Sequence, residues 1–218
     1  MNGYIILANG KPPSKQVIKY LMKQGYSNLI CADGGADKAR QMNLIPTAII
    51  GDLDSISVQS LKYYSGKTKI IKLKRQNDTD VEKCLKYLIQ RKVADVILLG
   101  VTGNRLDHTF CNLGIVLKFY DKIKIRIIAE NSLLTAATGK VILTTFPGET
   151  ISLYGFHPKT KITTKGLKYS LTNENLPFGI RESTSNVALE NEVTLNISHG
   201  IIFIFREFNV MKKYDLFK

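Results

Sequence analysis

Residues 48–55 read Ala48-Ile49-Ile50-Gly51-Asp52-Leu53-Asp54-Ser55. A short run that is apolar at every position breaks on a glycine and gives way at once to two acids. Such a run has no solvent face, as expected for a strand covered on both sides of a parallel sheet. The same pattern recurs outward in both directions. Residues 28–32 end in Asp33-Gly34-Gly35-Ala36, and the most apolar run, 95–99, leads into Gly100-Val101-Thr102-Gly103-Asn104-Arg105-Leu106-Asp107-His108. Residues 4–8, 69–73 and 124–129 complete a set of strand-like segments.

The segments between them have helical spacing. Ser14 is placed to cap a helix whose inner face is Val17, Ile18, Leu21 and Met22, ended by Gly25. Val81, Cys84, Leu85, Leu88 and Ile89 make one face of a later helix; Phe110, Leu113, Leu117 and Tyr120 make one face of the next. Repeated strand and helix predict an α/β domain over residues 1–130, a mainly parallel sheet flanked by helices. Ligands of such sheets sit beyond the carboxyl ends of the strands, where these glycines and acids fall. Past residue 131 the helical period fades. Short β-like runs at 140–145, 150–154, 161–164, 193–197 and 200–205, separated by Pro147-Gly148, Gly155, Gly166 and Ser198-His199-Gly200, predict an all-β sandwich domain over 131–218.

The acids at the strand ends suggest metal-phosphate chemistry. In extended chain, Asp52 and Asp54 face one side at a spacing of about 6.6 Å, and their mutual repulsion is relieved by a cation; Mg²⁺ binds one or two carboxylates together with substrate phosphates. Gln76-Asn77-Asp78-Thr79-Asp80-Val81-Glu82 opens a helix. Thr79 and Glu82 have capping-box spacing, which leaves Asp80 and Gln76 unexplained by capping, and a helix N-terminus is a natural phosphate site. Asp33, Gly34 and Gly35 offer backbone N–H groups at close approach. Arg105 has the planar fork that clamps phosphate; Asp107 is placed to cap the following helix, and His108 stands in its first turn. No G-x-G-x-x-G follows a strand, and Gly66-Lys67-Thr68 lacks the upstream glycine of a phosphate-binding Walker loop.

Composition narrows the partners. Lysine and arginine outnumber acids 31 to 18, for a net charge of +13, yet no basic block or RNA-binding aromatic motif stands out. A diffuse positive field suits a small anionic substrate, and no nucleic-acid partner is expected. No apolar run approaches the roughly 18 residues of a membrane span. Three scattered cysteines, Cys31, Cys84 and Cys111, read as small buried apolar residues rather than a disulfide framework. The expected compartment is the cytoplasm.

These motifs, in this order and spacing, resemble the thiamin pyrophosphokinases: Asp33-Gly34-Gly35-Ala36, Gly51-Asp52-Leu53-Asp54-Ser55, Gln76 through Thr79-Asp80, and Arg105-x-Asp107-His108. In the second half, Thr164-Lys165-Gly166-Leu167-Lys168-Tyr169, Leu171, Leu176, Gly179 and Ser183-Thr184-Ser185-Asn186 resemble that family's thiamin-binding β-domain. The resemblance implies transfer of pyrophosphate from ATP to thiamin. It implies Mg²⁺ on Asp52, Asp54 and Asp80, with Gln76, Thr79, Arg105 and Asp107 lining the phosphate and substrate region. It also implies a homodimer with active sites at the subunit junction, where Ser185 and Asn186 meet the thiamin pyrimidine. The chain has no tryptophan, so aliphatic contact or an aromatic such as Tyr169 or Phe178 would cover that ring. A related ATP-dependent transferase acting on another alcohol, such as a pterin, is the alternative enzyme. A non-catalytic nucleotide- or nucleic-acid-binding module ranks behind it.

Overall fold

The computed structural model describes residues 3–74, 77–103 and 105–217. The chain divides into two compact units, Met1–Glu130 and Asn131–Lys218.

The first unit runs β1 (Tyr4–Leu7), α1 (Lys15–Lys23), β2 (Asn28–Ala32), α2 (Gly35–Gln41), β3 (Ala48–Gly51), α3 (Val58–Tyr64), β4 (Lys69–Lys72), α4 (Asp80–Gln90), β5 (Asp95–Leu99), α5 (Leu106–Phe119) and β6 (Lys124–Ala129). Its strands lie in the order β6-β5-β1-β2-β3-β4, and every pairing is parallel. Ile5, Ile6, Leu7, Ile49, Ile50 and Val96 to Leu99 are fully buried, which is what their unbroken apolar runs require. The chain lays down β1 to β4 in one direction, then crosses back to place β5 on the other side of β1. That reversal opens a crevice above the carboxyl ends of β1 and β5.

Local chemistry sets the helix starts. Ser57 Oγ accepts from Ser60 N to cap α3, and Thr79 with Glu82 forms a complete capping box on α4. Ser14 occupies the N-cap position of α1, but its side chain makes no cap bond. Helix α5 departs from the sequence expectation. It buries Asn112, Ile115, Val116 and Phe119, while Phe110 is 62% exposed. Apolar residues run round most of this helix, so a 3.6-residue period fits two different faces. The cysteines divide too: Cys31 and Cys84 are buried as expected, but Cys111 is exposed.

The second unit contains β7 (Ser132–Thr144), β8 (Thr150–Gly155), β9 (Lys161–Lys165), β10 (Glu174–Asn175), β11 (Ser183–Val187), β12 (Glu192–Glu207) and α6 (Phe208–Lys213). The runs at 193–197 and 200–205 are one strand, not two. The pairing of β12 with β7 shifts between Ile197 and Ile202, where His199 and Gly200 have positive φ. The Ser198-His199-Gly200 signal is a bulge within a strand, not a turn between strands. Past this bulge β12 changes partners, from β9 over Thr194–Ser198 to β8 over Ile202–Arg206. One strand therefore serves two sheet arms that enclose a core of Ile151, Leu153, Ile162, Leu195, Ile202 and Ile204. Buried Arg206 donates to both oxygens of buried Glu149, at 2.6 and 2.8 Å, and to Thr144 O at 2.7 Å. The fold class is thus the expected one: a parallel α/β unit followed by a β unit.

Candidate active site

The loops after β1, β2, β3 and β5, with the start of α4, build the rim of the crevice in the first unit. Asp33, directly after β2, adopts φ 41° and is 1% exposed. Its Oδ1 accepts from Ile56 N at 2.9 Å, and its Oδ2 accepts from Asp54 N and Ser55 N at 3.2 and 3.3 Å. The buried carboxylate thus organises the loop after β3 by accepting its backbone donors. Asp52 opens that loop, and Asp80 is the first residue of α4. Carboxylate oxygens of Asp33, Asp52 and Asp80 lie within 4.8 Å of one another. Gly51 makes the approach possible. A Cβ there would come within 2.8 Å of Asp33 Cβ and 3.1 Å of Asp80 Oδ1.

Lys83, one turn into α4, is buried against these acids. Its Nζ donates to Asp80 Oδ1 at 2.8 Å and to Asp52 Oδ2 at 3.0 Å. Asp52 Oδ1 is buried with no hydrogen-bond partner among the described residues. Loss of water raises the Asp33 carboxyl to about 6, with the neighbouring charge of Asp80 adding to the effect against the backbone N–H groups of Ser55 and Ile56. Asp52 is held below the usual carboxylate range by its bond from Lys83. Burial alone would lower the Lys83 ammonium, but its bonds to Asp80 and Asp52 outweigh that and hold it above its ordinary value.

Asp54 does not join the three clustered carboxylates. Leu53 has φ 66°, so the chain from Asp52 to Asp54 is not extended and the two side chains do not share a face. Asp54 is exposed and accepts from Ser55 Oγ at 2.9 Å, yet it still lines the cavity. Asp33 takes the place in the cluster that spacing alone suggested for Asp54.

The cluster forms part of the wall of a cavity of about 1010 Å³, which Gly34, Thr79, Arg105, Asp107 and His108 also line. Gly35 starts α2 behind it, and a Cβ there would lie 2.0 Å from Leu7 O. Arg105 and Asp107 pair with each other through two hydrogen bonds, Nε to Oδ1 being 2.9 Å. That pair, with a bond from the backbone N–H of His108, holds Asp107 below the usual carboxylate range; the N-cap position of α5 falls on Arg105, and Asp107 lies inside the helix. His108 is exposed at the rim. Gln76 lies outside the described residues.

Several lining residues escaped the sequence reading. Gly10 N donates to Gly100 O at 2.7 Å and Lys11 N to Thr102 O at 2.8 Å, which ties the loop after β1 to the loop after β5. Buried Asn112 donates to Val101 O at 2.7 Å and anchors that loop to α5. The signal was present in Ala8-Asn9-Gly10-Lys11, another strand ending in glycine and polar residues. Lys83 was detectable only as a lysine three residues after Asp80.

In the second unit, Ser185 is exposed with φ 54°, and its N–H donates to Ser152 Oγ at 2.9 Å. Asn186 is 1% exposed. Its Oδ1 accepts from Tyr169 N and Val187 N, and its Nδ2 donates to Tyr169 O and Ser183 Oγ. All four hydrogen-bonding positions of the amide are thereby used within the protein. Asn186 thereby secures the segment carrying Tyr169, which is 61% exposed.

Comparison with known proteins places two domain families on the chain. The thiamin pyrophosphokinase catalytic domain matches residues 20–129, and the thiamin pyrophosphokinase vitamin B1 binding domain matches residues 140–202. Thiamine pyrophosphokinase 2 of Oryza sativa subsp. japonica is 31% identical, over 80% of this chain and 76% of its own. Thiamin pyrophosphokinase 1 of Caenorhabditis elegans is 30% identical, over 78% and 74%. The crystal structure of thiamine pyrophosphokinase from Bacillus subtilis has the same fold, with a TM-score of 0.81 at 22% identity over 94% of this chain and 98% of that one.

Proposed function

The chain belongs to the thiamin pyrophosphokinase family and is an enzyme of that kind, and we propose that it transfers pyrophosphate from ATP to thiamin at the acidic cavity of the first unit, releasing AMP. The observation that carries this placement is the convergence of Asp33, Asp52 and Asp80 within 4.8 Å at the rim of a parallel sheet. The oxygen-only donor set and the buried Asp52 Oδ1 without a partner fit a hard divalent cation such as Mg²⁺. Asp52 and Asp80 would hold it with Asp33, and Asp54 would reach it from the cavity wall. The ion supplies neutralisation of polyphosphate charge.

The chain's own groups do the positioning on which phosphoryl transfer chiefly depends. Asp33 fixes the loop that carries Asp52 and Asp54. Gly34 and the first turn of α4, directly after the cap residue Thr79, would offer backbone N–H groups to phosphate oxygens. Arg105, held by Asp107, and His108 line the same cavity and would steady the polyphosphate, a role that the family resemblance also gives to Gln76. In the second unit, Ser185 and Tyr169, secured by Asn186, would receive the thiamin pyrimidine. A homodimer acting in the cytoplasm completes this reading.

Incubation with ATP, Mg²⁺ and thiamin, followed by chromatography, is expected to yield thiamin diphosphate and AMP in equal amounts. ADP in place of AMP, or faster turnover with a pterin alcohol, would reject the assignment. Asp54→Asn is expected to keep the fold and lose most activity, about 100-fold or more, because a neutral amide is a poorer Mg²⁺ ligand. Near-normal turnover of folded Asp54→Asn protein would remove Asp54 from the site.

A further inference from the structure

Lys83 stands in an unusual position for a lysine. It lies in the first turn of α4, where the helix dipole favours acids and disfavours cations. Its side chain is 2% exposed, and a buried ammonium is tolerated only when paired and hydrogen-bonded. Its partners are Asp52 Oδ2 at 3.0 Å and Asp80 Oδ1 at 2.8 Å, two of the three carboxylates that converge. The nearby Lys86 also lies on α4 but pairs with Asp78 instead.

We propose that Lys83 is a built-in counter-cation, which holds Asp52 and Asp80 together in the metal-free protein and competes with the incoming divalent ion for their oxygens. This rests on reading the cluster as a metal site. Two carboxylates already bridged by an ammonium present less net negative charge, and a metal gains them only by displacing a bond that Lys83 makes. The site therefore holds a bare divalent ion weakly and takes it together with the nucleotide, whose phosphates bring their own negative charge. Once displaced, the ammonium remains beside the cluster with donors to offer those phosphates. Lys83 is in this sense a positioning residue that sets metal affinity.

The test measures metal binding, not turnover. Nucleotide-free wild type, Lys83→Met, Lys83→Gln and the control Lys86→Met are titrated with Mn²⁺, and the free aquo ion is followed by electron paramagnetic resonance. Both Lys83 variants are expected to bind Mn²⁺ at least tenfold more tightly than wild type. Lys86→Met removes an equal charge from the same helix and is expected to stay within twofold. Folded Lys83 variants that bind no more tightly than wild type, or a Lys86→Met as tight as they are, overturn the proposal. If neither Lys83 variant folds, the wild type decides: the ¹⁵N resonance of the Lys83 ammonium must shift when Mg²⁺ is added, and an unmoved resonance overturns the proposal. Absence of Mn²⁺ binding by every protein, with and without a non-hydrolysable ATP analogue, would instead overturn the metal reading on which it stands.

Discussion

Asp33 combines two demands that conflict. Its carboxylate accepts three backbone N–H groups, which favours the charged form, yet it is 1% exposed and close to the charge of Asp80. Burial wins, and the carboxyl rises from 3.8 to about 6. The sign of the resulting pH dependence follows. Between about 3.8 and about 6 the folded state keeps a proton that the unfolded chain has lost, so this group's contribution to stability declines as pH rises through that window. Thermal unfolding in chelator, from pH 4.5 to 7, is expected to show a decline that Asp33→Asn flattens and saturating Mg²⁺ suppresses. Equal pH slopes for wild type and Asp33→Asn would contradict the account. At this scale the acids were legible as chemistry but not as geometry. Asp33, Asp52 and Asp80 could be picked from strand ends, whereas the displacement of Asp54 turns on Leu53 at φ 66°, a conformation that leucine seldom adopts and that its identity does not announce.

Helix α4 shows how one element serves structure and site together. Its capping box brings its first turn to the cluster, with Asp80 and Lys83 both turned toward Asp52. Thr79→Ala removes the cap bond to Glu82 N and is expected to destabilise the protein by about 1 kcal/mol. Because Asp80 follows directly, turnover in Thr79→Ala is expected to fall by more than the stability loss alone produces at saturating Mg²⁺, read as kcat in folded protein. Unchanged kcat would separate the cap from the site. This helix was readable in advance because capping-box spacing and a single apolar stripe agree. Helix α5 was not, since Ile115, Val116 and Phe119 compete with Phe110, Leu113 and Leu117 for the inward face. Nor was the continuity of β12, because glycine signals a bulge and a turn alike.

At the scale of the whole molecule, both units leave apolar side chains in solvent. Leu106 and Phe110 are exposed at 69% and 62% in the first, and Ile180 and Phe178 at 82% and 57% in the second. Apolar groups so exposed suit contact with a second copy. Sedimentation velocity across a hundredfold range of concentration is expected to give a single species of twice the chain mass at the upper end. A monomer throughout would reject the homodimer. The net charge of +13 opposes self-association at low salt, so the dimer is expected to tighten as ionic strength rises.

The contact surface around Gly51 also divides the protein's freedom to vary. A single methyl group at that position meets Asp33 and Asp80 at once, so the spacing of the acids is guarded by an atom of hydrogen. Lys11 stands at the mouth of the same crevice, with its side chain 63% exposed. Inherited or engineered change is thereby channelled outward, to a mouth that can be rewritten around a floor that cannot.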